Sequence, residues 1–127
     1  MVYGRSSMVI FISLQIDKLL YNDLMKFDPV LFAKAIADDT RQRIMSECCC
    51  CELSVNEIVE KIGFSQPTIS HHLAILRDAG LVTVREEGKQ TFYTLNQEHI
   101  AVCCGQIMLK FAPESVTTEN LLKTFKA

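Results

Sequence analysis

Residues 54–95 hold the pattern that most restricts what this chain can become: two short capped helices, then an abrupt change of period. Ser54 to Glu57 (SVNE) is a capping box, in which the serine hydroxyl accepts from the backbone N–H three residues on and Glu57 reaches back. Val55, Ile58, Val59 and Ile62 follow at helical spacing and make one apolar face. Gly63 supplies a left-handed stop. Ser65 caps a second helix with Pro67 in its first turn, Ile69, Leu73 and Leu76 form its inward stripe, and Gly80 ends it. From Leu81 the period drops from helical to two. Leu81–Glu86 and Lys89–Leu95 read as strands joined through Glu87 and Gly88, a hairpin signal. Two short helices joined around a glycine suit a DNA-reading helix-turn-helix, and a hairpin directly after them makes a wing.

The flanks are helical. Residues 14–26 carry Leu14, Leu19, Leu20 and Leu24 near one stripe. Asp28 and Pro29 restart the chain, and Leu31, Phe32, Ala35 and Ile36 give the next helix its apolar face. Asp38, Asp39 and Thr40 cap another helix, which runs from about Arg41 into four consecutive cysteines. A last helix spans about Gln97 to Phe111, with Ile100, Cys104, Ile107 and Phe111 on one stripe. Three segments result: an N-terminal helical extension over 1–27, a winged helix-turn-helix domain over 28–112, and a tail over 113–127 expected to be partly ordered at best. The fold class is mainly α with a small β-hairpin.

The apolar patch Met8–Leu14 is broken by Gln15 and Asp17. Spanning a bilayer takes about 20 apolar residues, so no membrane partner is expected. No small-residue cleavage site follows, so the chain is expected to stay in the cytoplasm. Six cysteines in 127 residues would suit a disulfide scaffold, but neighbouring cysteines bridge only with strain. Free thiols in a reducing compartment are the better reading.

Residues 28–111 resemble the ArsR/SmtB family of winged-helix repressors. The resemblance is carried by AIADDTRQRIM (Ala35–Met45), ELSVNEI (Glu52–Ile58), SQPTISHHLAILRDAGLV (Ser65–Val82) and REEGKQTFYTL (Arg85–Leu95), in that order. It implies a homodimer built through its first and last helices, binding double-stranded operator DNA as an inverted repeat and leaving it when a small inorganic inducer binds. No cofactor is required by it. It also implies major-groove contact by Gln66, Ser70 and His71, which lie with Pro67 and Ala74 on the outward face; Thr68 is added to them. Glutamine pairs with adenine bidentately, and serine and histidine suit base edges or phosphates. Arg85, Lys89 and Gln90 flank the wing turn, where they suit phosphates or the minor groove; a solvated hairpin tip is the plainer alternative.

The inducer must be read from thiols. Thiolates suit soft ions, which points to arsenite or antimonite and to Cd, Zn or Cu(I). The family's best-known sites are not intact. Ser54 and Asn56 stand where one site has cysteines; in the other, His99 is kept but Gln97 and Lys110 replace ligands. Helical register splits the cysteine run. Cys48 shares a face with Ile44 and reads as core, Cys49 is ambiguous, and Cys50 and Cys51 fall at the exposed helix end. On the last helix Cys104 reads as interface filler. Cys103 falls on a polar stripe with His99, Gln106 and Lys110. The candidate ligand set is therefore Cys50, Cys51 and Cys103, with His99, Cys104 and Cys49 behind them. A redox or reactive-sulfur sensor of the same fold is the alternative. A thiol enzyme is disfavoured, because the run sits at a helix C-terminus, where thiolate is not stabilised. A structural zinc protein remains the other remote reading.

Overall fold

The computed structural model describes residues 28–124; the expected helix over 14–26 and the extension over 1–27 lie outside them. Two compact units divide the chain, one of them Val30–Ile100. That unit runs α1 (Pro29–Ile36), α2 (Asp39–Glu47), β1 (Leu53–Ser54), α3 (Val55–Ile62), α4 (Gln66–Asp78), β2 (Val82–Glu87) and β3 (Gln90–Leu95). Helix α5 (Gln97–Phe111) begins there and continues into the second unit, which also carries α6 (Val116–Thr124).

The punctuation acts as the sequence suggests. Ser54 Oγ accepts from Glu57 N at 3.2 Å, and Glu57 Oε1 accepts from Ser54 N at 3.2 Å. Gly63 takes φ +89°, a left-handed stop that a β-carbon would disfavour. Ser65 caps α4, with Pro67 in its first turn. Ile44, Cys48, Ile58, Ile69, Leu73, Leu76 and Leu81 are sealed from solvent and form the core of this unit. The hydroxyl that replaces a cysteine of the family's metal stretch, Ser54, is therefore employed in starting a helix.

The sheet is three-stranded and antiparallel, in the order β1-β3-β2. The extra strand was not expected. Leu53 and Ser54 pair with Tyr93 and Phe92, and a two-residue strand carries no periodicity to detect. Glu87 pairs with Gln90, so the wing turn is Gly88-Lys89, one residue later than Glu87-Gly88. Only Gly88 has positive φ there, the pattern of a II′ turn.

The tail also differs from expectation. Residues 116–124 form a helix, supported by a Lys123–Glu119 ion pair of 3.1 Å at i, i+4 spacing. So short a helix is marginal alone; burial of Thr118, 1% exposed, supplies the packing that local sequence did not reveal.

Candidate nucleic-acid interface and thiol cluster

Helix α4 turns one face inward through Ile69, Leu73 and Leu76. Its opposite face leaves Gln66, Pro67, Thr68, Ser70 and His71 exposed at the surface. Thr68 is partly engaged, because its Oγ1 lies 2.9 Å from Ser65 Oγ within the cap. A cleft of about 170 Å³ joins this helix to the wing: Ser54, Val55, Asn56, Gln66, Lys89, Gln90 and Thr91 line it. Gln66 of α4 and Lys89 and Gln90 of the wing, distant in sequence, thus share one concave surface. Asn56, which sequence reasoning considered only as a lost metal ligand, joins them at the start of α3.

Arg85 does not stand free on that surface. Its guanidinium donates to Glu52 from Nη2 at 2.6 Å and Nε at 3.0 Å, donates to Glu87 from Nη1 at 2.6 Å, and lies 4.7 Å from the Phe92 ring centroid. Hydrogen bonding to Glu52, then to Glu87, raises the arginine pKa further, and the same bond from Arg85 lowers that of Glu52. Expected as a phosphate contact, Arg85 would have to leave both carboxylates to reach DNA. The cause is β1, whose pairing with β3 brings Glu52 within reach of Arg85 although 33 residues separate them. No ion pair holds Lys89 among the described residues.

Phe64–Thr91 contains three basic and three acidic residues (Arg77, Arg85, Lys89 against Asp78, Glu86, Glu87), and Arg85 is already compensated. DNA affinity should therefore depend on placed contacts rather than on field. Raising salt from about 50 to 200 mM should weaken binding by less than about a hundredfold, against the three to five decades of strongly basic binders. A fluorescence-anisotropy titration that loses several decades over that range would contradict this.

The cysteine run resolves by position. Cys48 is the C-cap of α2, its N–H donating to Ile44 O at 3.0 Å, and it is fully buried. Desolvation pushes its thiol up to about 11, with smaller contributions from Cys51 and Glu47. Cys49 is half-buried, and a hydrogen bond with the Cys50 thiol raises its pKa. Cys50 and Cys51 are exposed. The run is tied to the wing and to α5 through its backbone: Leu95 N donates to Cys48 O at 3.1 Å, and Gln97 Nε2 donates to Cys49 O at 2.7 Å.

On α5 one expectation is overturned. Cys103, assigned to a polar stripe, is 0% exposed, and desolvation pushes its thiol up to about 11. Such a site favours the neutral thiol over the thiolate a soft ion needs. Cys104 is exposed, as is Phe111 at 72%. The neighbours His99, Gln106 and Lys110 suggest a polar face for Cys103, but packing decides which way a helix turns. His99 lies in the first turn of α5: its backbone N–H donates to Asn96 Oδ1 at 3.2 Å, and its ring lies against Gly80, where a β-carbon would meet Nε2 at 3.1 Å. Among the described residues, no group of three or more His, Cys, Asp or Glu is placed to hold a metal ion. No helix among them is long and apolar enough to cross a membrane.

A family model described as bacterial regulatory protein, arsR family, matches residues 38–84. An arsenical resistance operon repressor of Staphylococcus xylosus is 40% identical over 67 residues, which span 53% of this chain and 64% of that protein. A cadmium resistance transcriptional regulatory protein CadC homolog of Staphylococcus aureus is 38% identical over 87 residues, 61% of this chain and 68% of the homolog. Among solved structures, reduced HlyU from Vibrio cholerae superposes with TM-score 0.53 at 36% identity, over 65% of this chain and 87% of that one. The chain spans 52% to 68% of the length of the first curated relatives it matches.

Proposed function

Because this chain belongs to the arsR family of bacterial regulatory proteins, we propose that it is a DNA-binding transcriptional repressor whose release from its operator is triggered at exposed thiols. Its relatives are regulators of transcription, not enzymes. The observation that carries the DNA-binding half is the cleft on which Gln66, Lys89 and Gln90 meet beside the exposed Ser70 and His71. A two-fold dimer presents two such surfaces to an inverted repeat. In this reading Phe111, Val116 and Leu121, all exposed, supply apolar area for the second copy.

The inducer half rests on Cys50 and Cys51, with Cys49 beside them. Relatives named for arsenical and cadmium resistance support a thiophilic ion, arsenite first. Two thiols of one chain are an incomplete shell for such an ion, so a third donor comes from the inducer's own hydroxyl, from Cys49 or from a second subunit. The alternative, a thiol-redox or reactive-sulfur sensor, is favoured by a different observation: Cys50 and Cys51 are adjacent, exposed free thiols that an oxidant can reach with no third donor. Both readings suit a protein that works in a reducing cytoplasm.

One titration separates them. The reduced protein is bound to a duplex it has selected from a random pool, then exposed to arsenite, Cd and Zn, and separately to polysulfide and peroxide. Release by arsenite or Cd under reducing conditions is expected. Release by oxidants alone, reversed by dithiothreitol, would sink the metal reading and establish the redox one.

A further inference from the structure

The buried arginine of α2 has a partner on α4 that none of the foregoing uses. Arg41 is 9% exposed, and a guanidinium has donors only, so each N–H taken from water needs an acceptor. Nε donates to Ala35 O at 2.6 Å and Nη2 donates to Lys34 O at 3.0 Å. Both carbonyls belong to the last turn of α1, where no further turn donates to them. Asp38 completes this corner: its Oδ1 accepts Arg41 N at 2.9 Å as the cap of α2, and its Oδ2 lies 3.7 Å from Nη1. That backbone bond is the main reason the Asp38 carboxyl sits below its ordinary pKa. The remaining contact leaves the corner: Nη1 lies 3.2 Å from Nδ1 of His72.

Arginine has donors only, so in this contact Nδ1 of His72 is the acceptor; the same nitrogen lies 3.9 Å from Asp38 Oδ1. The His72 side chain is only 15% exposed. Its neighbour His71 is exposed, with the two ring centroids 5.7 Å apart. Helix α4 is otherwise seated by Ile69, Leu73 and Leu76, through apolar contacts that are non-directional. A hydrogen bond to a guanidinium that is itself held at three points adds the missing direction. A small rotation of α4 about its axis would carry Gln66, Ser70 and His71 together, whereas base reading requires placement within about 0.5 Å.

We propose that His72 is a positioning residue for DNA recognition, which by accepting from Arg41 sets the rotation of α4 and so the aim of Gln66, Ser70 and His71. The proposal rests on α4 being the DNA-reading helix. Three substitutions in the full chain test it. His72→Asn keeps an acceptor oxygen near the place of Nδ1, His72→Gln carries its amide past that place, and His72→Leu keeps bulk without an acceptor. Affinity is measured for the selected duplex and for a scrambled one. The Leu and Gln variants should lose about tenfold or more on the selected duplex, the Asn variant should return to within about threefold, and all should match wild type on scrambled DNA. Equal loss in the Asn and Gln variants, or none in either, overturns the proposal. The Asn and Gln pair decides the question even if the Leu variant does not fold. Failure of the wild type itself to select a duplex would sink the DNA-binding reading instead.

Discussion

Replacing Ser70 and His71 together by alanine should cost roughly a thousandfold in affinity for the selected duplex, while the protein keeps its fold and assembly state. Base contacts are worth about 1–3 kcal/mol each, and a two-fold dimer repeats both, so even the low end sums to about 4 kcal/mol. Neither side chain supports the fold. Both are exposed on the face of α4 opposite Ile69, Leu73 and Leu76, so no core atom is removed. Sedimentation and urea unfolding should match wild type, and anisotropy should show only the residual affinity for scrambled DNA. Normal binding by this variant would remove α4 from the interface.

The second large effect concerns the thiols. A Cys50→Ser, Cys51→Ser variant should bind the duplex within about threefold of wild type, yet need more than about a hundredfold higher inducer for release. Loss of even an outer-sphere partner costs a metal site about 10–100-fold, and here two donors go at once. Both side chains are exposed, so serine costs little stability. The response has a route outward, since Glu52, next to Cys51, grips Arg85 of the wing, and the Cys48 and Cys49 carbonyls hold Leu95 and Gln97. On the proposed reading, reshaping this loop loosens the wing from β1. An unchanged release midpoint would show that these thiols do not sense. Cys48→Ala serves as the contrast: its side chain is buried, so it should lower stability and leave the midpoint alone.

Much of the reading unit was legible because its signals are local. Ser54 with Glu57, Gly63, and Ser65 with Pro67 act within one helical turn, and the wing's alternation acts within one strand. The order of burial along Cys48–Cys51 follows from helical register in the same way. What was missed was non-local. β1 exists only because Leu53 and Ser54 find Tyr93 and Phe92. The capture of Arg85 follows from that pairing. Helix α6 depends on packing around Thr118 rather than on propensity.

The same division holds for the candidate sites. From sequence came the outward face of α4, the wing tip and the exposed end of the cysteine run, because a helix's period and a hairpin's turn determine which residues share a side. Only the tertiary structure decided that Cys103 is buried and Cys104 exposed, that Arg85 is held by Glu52, and that Arg41 and His72, 31 residues apart, meet. Periodicity says which residues of a helix travel together. Which way that helix turns, and which distant acceptor meets a buried donor, depend on partners that no local window contains.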